Sequence, residues 1–358
     1  MRLLLVLIST IALLCACSGE GGPNNPAGTF SNESAPPPLF PFQKLSRSGP
    51  QSRSDGHLRS VAVYTLSNGA SRNKVVSFVS HGGAEKYDQS FDTGGRGDPS
   101  VAGTVQGAIA VSPGDRFLFA ADAGSNEISS FRIGDGELQL VGKVASRGMQ
   151  PVSLTVHRDL LFVLNAASSS IAGFRITRNG RLRPIPKSNA PLSGSGVEPA
   201  EIAFDNSGRV LLVTEKATND IDSYSVVGGV PTGPSVHAAS GTTPFGFAFA
   251  PRSENVVVSE AFGGASGEGA ATSYSVTPPN MLTPISVSVP DGNTAPCWIA
   301  ITRNGIAFTS NTASNTISAY SIDAQGDLTL TNGVSAQTGM SPTDLAVGRM
   351  IGRSSCST

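Results

Sequence analysis

PAEIAFDNSGRVLLVTEKATNDIDSYSV, residues 199 to 226, decides how the rest of the chain is read. Glu201 to Phe204 alternates apolar and polar residues, and the turn Asp205-Asn206-Ser207-Gly208 follows. Arg209 to Thr214 is a β-branched and leucine run, Lys216 to Asp220 is a second polar turn, and Ile221 to Val226 alternates again. Period-two runs bounded by Gly, Asn and Asp predict an antiparallel meander. Three strands cannot bury a face alone, so such a unit needs neighbours like itself.

The neighbours are present. The frame recurs from Gln106 (QGAIAVSPGDRFLFAADAGSNEISSFRI), Pro151 (PVSLTVHRDLLFVLNAASSSIAGFRI), Pro244 (PFGFAFAPRSENVVVSEAFGG, then ATSYSV) and Pro296 (PCWIAITRNGIAFTSNTASNTISAYSI). An incomplete copy begins at its second strand at Val61, and a last one, PTDLAVGR, begins at Pro342. The third-strand aromatics Phe78, Phe131, Phe174, Tyr224, Tyr274 and Tyr320 recur every 43 to 53 residues. All-β repeats of about 40 to 50 residues are the signature of β-propeller blades, each a four-stranded antiparallel sheet. Period two and the scarcity of helix-forming stretches exclude a helical solenoid.

Composition narrows the function classes. Charged residues make up 14% of the chain and the net charge is −1, so nothing in the overall balance attracts nucleic acid or an anionic membrane surface. Met1-Arg2 followed by the apolar run Leu3 to Leu14 reads as an export signal, too short to span a bilayer as an anchor. Residues 18–54, rich in Gly, Pro, Ser and Asn, read as a flexible tether. The propeller domain is expected over 55–347 and an irregular tail over 348–358. Beyond Cys15 and Cys17 only Cys297 and Cys356 remain, without a CxxC or a metal-ligand spacing; no cofactor and no metal are expected. A monomer is expected.

Two motifs carry resemblances. Leu14-Cys15-Ala16-Cys17-Ser18 resembles a bacterial lipobox, which implies Cys17 as the lipidated N-terminus and makes 1–17 the signal peptide. That resemblance implies an outer-membrane or cell-surface lipoprotein, with a periplasmic location second, attached to the membrane through the lipid. The repeat resembles the lactonase family of seven-bladed propellers, which includes 6-phosphogluconolactonase and carboxymuconate cyclase-like proteins. The residues that carry it are the inner-strand starts Pro151, Pro199, Pro244, Pro296 and Pro342, the turns DNSGR and TRNG, and the second-strand endings FVLN, LLVTE and AFTSN. Closings such as FRITRNGRL and YSIDAQGDL go with them. Six copies are countable, so the chain reads as stopping one strand into a seventh blade, by truncation or frameshift. The alternative is a closed six-bladed ring in which Thr343 to Val347 pairs with the first copy.

In a blade, the start of the inner strand and the end of the second strand lie on one face of the disc. Inner-strand starts bring Gln150, Glu201, Phe245, Cys297, Trp298 and Asp344 to that face; second-strand ends bring Asn68, Asp122, Asn165, Glu215, Glu260 and Asn311. A recurring Asn or Asp there is expected to satisfy backbone groups in the following turn. Glu215 and Glu260 depart from that pattern, being longer and charged, and are the candidate catalytic acids, with Lys216 beside them. If a lactone is hydrolysed, a carboxylate acts as general base on water and Lys216 or Arg147 stabilises the oxyanion. Glu201, Gln150, Phe245 and Trp298 are the candidate binding residues. The resemblance also implies a histidine after an inner-strand proline and an arginine in a later blade; this chain has Val152, Ala200 and Glu260 instead. His57, His81, His157 and His237 read as loop residues. Two functions are expected to compete: an exported lactonase-like enzyme taking a small lactone or cyclic ester at the channel mouth, and a non-catalytic envelope propeller binding protein or glycan.

Overall fold

The computed structural model describes residues 61–81, 84–134 and 137–347, together with the strands Leu5–Val6 and Phe40–Ser46. Six four-stranded antiparallel sheets follow one another along the chain, and among the described residues helix is confined to two three-residue 3₁₀ turns. Blade one comprises Phe40–Ser46, Val61–Leu66, Lys74–His81 and Ala84–Asp92; blade two comprises Ile109–Val111, Phe117–Asp122, Glu127–Ile133 and Leu138–Ala145. Blade three comprises Pro151–His157, Leu160–Asn165, Ser170–Ile176 and Leu182–Pro184, with Ala190–Pro191 adding to its third strand. Blades four, five and six have inner strands Pro199–Phe204, Pro244–Phe249 and Pro296–Ile301 and second strands Val210–Glu215, Asn255–Glu260 and Ile306–Asn311. Their third and outer strands are Asp220–Val227 and Val230–Ala238, Ala270–Thr277 and Met281–Pro290, and Thr316–Ile322 and Leu328–Gln337.

Burial explains the sequence pattern strand by strand. The second strands are buried on both faces, because each blade is sandwiched between its neighbours; hence FLFAAD, LLFVLN and VLLVTE read as continuous apolar runs. Third strands alternate and place Phe131, Phe174, Tyr224, Tyr274 and Tyr320 in the inter-blade core, all essentially without solvent exposure. Outer strands are mostly exposed. Within the opening stretch, Asp205 Oδ1 accepts from the N–H groups of Arg209 and Val210, 2.8 and 2.9 Å, closing the turn that Gly208 completes at φ 72°.

Two expectations change. Phe40–Ser46, read from composition as tether, is the inner strand of blade one, hydrogen-bonded to Val61–Leu66, so the first copy is complete. Thr343 to Val347 does not pair with that copy. Instead Ala346–Val347 pairs with Leu5–Val6 and lies between the inner strands of blades six and one, where a seventh blade would begin. The ring therefore holds six full blades in an arrangement compatible with seven. The proposed signal peptide, its Cys17 and the tail apart from these short strands fall outside the described residues. His81, His157 and His237 are strand residues, not loop residues.

Candidate functional site

Register places the two expected sets side by side: Pro151 faces Asn165, Pro199 faces Glu215, Pro244 faces Glu260 and Pro296 faces Asn311. The second-strand ends, however, are buried clamps between successive blades. Asp122 accepts from Thr93 Oγ1 at 2.6 Å and Asn73 Nδ2 at 2.9 Å in blade one, and from Ser129 Oγ at 2.5 Å in its own third strand. Glu260 accepts from Gly241 N (2.8 Å) after blade four, and from Thr272 Oγ1 (2.6 Å) and Ser288 Oγ (2.7 Å). Asn311 donates to Ser318 Oγ at 2.8 Å, and that hydroxyl donates to Asp291 Oδ2 at 2.9 Å after blade five. The outgoing loop is glycine where the clamp presses on it: a Cβ on Gly95 would lie 2.5 Å from the Asp122 carboxyl carbon, and one on Gly241 2.2 Å from Glu260 Oε2.

Glu215 belongs to the same set. It has no solvent exposure, and accepts from Ser193 Oγ, from Ser193 N at 3.2 Å and from Thr218 Oγ1 at 2.9 Å. Beside it lies Asp222, also fully buried, which accepts from Ser193 N at 2.8 Å and from the Tyr224 hydroxyl at 3.3 Å. Burial pushes the Asp222 carboxyl up to about 8, and its hydrogen bond and charge interaction with Glu215 push the same way. Burial likewise raises Asp122 and Glu260 against the hydrogen bonds they accept. The expectation that Glu215 and Glu260 break with the structural pattern is thus corrected: longer acids do the clamping there. Asp222 was missed, although it stands where the third strands of blades two and six carry Ser129 and Ser318 and that of blade five carries Thr272.

The inner-strand starts are covered rather than open. The segment from Asp98 to Gln106, with its short turn Pro99–Val101, crosses the channel on that face. Gln150 Nε2 donates to Asp98 Oδ2 at 2.8 Å, Lys216 Nζ to Thr104 O at 2.9 Å, and Trp298 Nε1 to Val105 O at 3.3 Å. Gln106 N donates to Ala200 O at 3.2 Å, so the segment touches blades three, four and six. Burial draws Asp98 upward, but hydrogen bonds from Ser100 and Gln150 outweigh it and hold the carboxyl below its ordinary value. Phe245 and Trp298 stack edge to face, centroids 5.3 Å apart, with Lys216 Nζ 4.9 Å above the Phe245 ring. Both rings are buried, so they brace the plug and present no stacking surface to solvent. Arg147 stands apart at the rim, its Nε donating to Asn189 Oδ1 at 2.9 Å.

Beneath the plug the channel opens. The first four residues of each inner strand in blades three to six are buried, and the strands become partly exposed toward their C-terminal ends. A cavity of about 200 Å³ lies along the inner strands of blades two, three and four, walled by Gln106, Leu154, Glu201 and Ala203 among others. Glu201 is 8% exposed, and its Oε2 accepts from Phe247 N of the next blade at 2.7 Å. Burial holds its carboxyl well above the usual carboxylate range; the Phe247 hydrogen bond opposes this and the charge of Asp344 adds to it. Of the eight expected site residues, only Glu201 lines this cavity. Gln106 was missed, because it was read only as a strand start. Among the described residues no cluster of His, Cys, Asp and Glu is suited to a metal ion.

Residues 60–197, spanning blades one to three, match the family model for lactonase, 7-bladed beta-propeller. Over those residues the chain is similar to lactonase-type propellers, and the described blades share the β-propeller fold. A proposed 6-phosphogluconolactonase from Bacteroides uniformis superposes with a TM-score of 0.65 at 15% identity, over 80% of this chain and 85% of that one. A protein from Lactobacillus plantarum gives the same four values. The periplasmic gluconolactonase of Pseudomonas aeruginosa gives 0.59 at 16% identity, over 81% and 85%. Identities this low speak for the fold alone. No curated protein matches the sequence.

Proposed function

We propose that this propeller hydrolyses a small cyclic ester inside its central channel, with Glu201 as general base. One observation carries the reading: a nearly buried carboxyl, its proton affinity raised by burial well above the usual carboxylate range, lines the cavity under the plug. A carboxylate made more basic by burial is a stronger acceptor for a proton from water. Glu201 takes a proton from water as the oxygen adds to the lactone carbonyl; the tetrahedral adduct then expels the ring oxygen, which takes that proton back. The sum is lactone plus water to hydroxy acid.

A panel of small lactones assayed with the purified protein tests this. Glu201→Gln is expected to lower kcat by about 10²- to 10⁴-fold, whereas full turnover in the variant moves the chemistry elsewhere. The plug over the inner-strand starts favours the second reading, a non-catalytic propeller that binds protein or glycan, and an inactive wild type across the panel would support it. Export belongs to the same proposal, with Cys17 the lipidated residue. Metabolic labelling with palmitate is expected to mark the wild type and not Cys17→Ala; equal labelling removes that assignment.

A further inference from the structure

The net charge of −1 conceals a separation of charge between the two faces of the disc. Each blade is an up-and-down meander, so its first turn and its outer hairpin both lie on the face opposite the plug. Each described first turn carries one exposed arginine: Arg116, Arg158, Arg209, Arg252 and Arg303 in blades two to six. The left-handed position of this turn is Gly208 in blade four and Gly305 in blade six, but Arg158 (φ 54°) in blade three and Arg252 (φ 66°) in blade five. Turn chemistry alone favours glycine or asparagine there. In blades three to five the acids of this face are largely neutralised or buried. Asp159 pairs with Arg175 at 2.8 Å, and Asp205 is buried against the backbone of its own turn. Glu254 is partly buried, and burial, then the charge of Asp205, raises its carboxyl. The hairpin of blade three adds exposed Arg178 and Arg181. Over the same blades the plug face instead exposes Glu198 and Glu268. Glu137 in blade two and Asp323 and Asp327 in blade six bound the basic sector. An apolar tip stands inside it. Val227, at the hairpin of blade four, is 80% exposed; Arg175 Nη2 donates to Gly228 O beside it at 3.4 Å, and Val226 N donates to Arg209 O at 2.7 Å.

We propose that this sector of blades three to five docks on an anionic lipid bilayer, its guanidinium groups meeting headgroup phosphates while Val227 enters the interface. The inference goes beyond hydrolysis and stands without it. Turns that end on one face of a disc are met together by a plane, whereas a small anion reaches one of them and a thread-like polyanion only an arc. A lone exposed valine is ordinary on a protein surface. Flanked by Arg175 and Arg209, however, it supplies the pairing of apolar insertion with basic attraction by which peripheral surfaces hold to anionic lipid. The attraction is local, so a chain of nearly zero net charge can carry it.

Co-sedimentation with vesicles tests this, using the full chain with Cys17→Ala throughout so that no acyl chain contributes. Binding to vesicles of phosphatidylglycerol in phosphatidylcholine is expected to exceed binding to phosphatidylcholine alone by on the order of tenfold, and to weaken as salt is raised. Arg158→Asn, Arg209→Gln and Arg252→Asn together are expected to lower affinity for the anionic vesicles by roughly fivefold per arginine. Asparagine suits the left-handed turns, and circular dichroism with thermal melting establishes that the variant folds. Lys74→Gln, Arg96→Gln and Lys187→Gln remove the same charge away from the sector and are expected to leave binding nearly unchanged. Val227→Asp is expected to weaken binding in the otherwise unaltered sector. Equal loss in the two triple variants would reduce the effect to net charge and overturn the assignment, as would equal binding to both kinds of vesicle or full binding by Val227→Asp. Sector-dependent binding of dextran sulfate without binding of vesicles would replace the bilayer by a soluble polyanion.

Discussion

At the scale of single residues, the carboxyls of blade four divide into two kinds. Glu215 and Asp222 are buried against each other and tied to Ser193, so they hold blades together; Glu201 is buried beside space. Glu215→Ala leaves the Ser193 and Thr218 hydroxyls without their acceptor, and a loss of roughly 1–3 kcal/mol in stability is expected, measured by denaturant unfolding. Asp222 sets a pH dependence. Its folded pKa, about 8, lies above the unfolded value, so between roughly pH 4 and 8 the folded state binds more protons than the unfolded one. Its contribution is therefore favourable below that window and is lost as pH rises through it. Asp122, Glu201, Glu260 and Asp291 are raised by burial and act in the same direction, so a single substitution isolates Asp222 by difference. Melting temperatures between pH 5 and 8 are expected to fall less steeply in Asp222→Asn than in the wild type. Parallel profiles would contradict the raised pKa of Asp222.

At the scale of elements, the segment from Asp98 to Gln106 decides which face of the channel is open. It is held by side-chain bonds from three different blades rather than by sheet pairing. Trp298 lies beneath it and is the only tryptophan in the chain, so its fluorescence reports on the plug directly. Asp98→Ala removes both the bond from Gln150 and the acceptor for Ser100 N, a loss of about 1 kcal/mol. Greater quenching of Trp298 by iodide is expected in that variant, at nearly unchanged melting temperature. Identical quenching would mean that the plug does not depend on this latch. None of this was legible in the sequence, where residues 93 to 105 break the repeat without showing what they cover. Gly-rich, polar connections look alike whether they lie on the surface or across a channel; long-range bonds such as Trp298 Nε1 to Val105 O distinguish them.

At the scale of the whole molecule, the repeat was readable because every blade solves the same packing problem. Second strands buried on both faces must be apolar throughout, third strands must present one large aromatic to the neighbouring blade, and turns need Asp, Asn and Gly in fixed places. Periodicity therefore determined the fold class, the strand order and the pairing of inner-strand starts with second-strand ends. It could not place Phe40–Ser46, since composition averaged over a Gly- and Pro-rich stretch hides a seven-residue strand whose partner lies elsewhere in the chain. Nor could it tell a clamp from a catalyst. Glu201, Glu215 and Glu260 are equally eligible as letters, and Asp222 is one letter in an alternating strand. Which carboxyl meets donors on every side and which meets a cavity depends on what neighbouring blades bring to within three ångströms, and only the tertiary structure decides that.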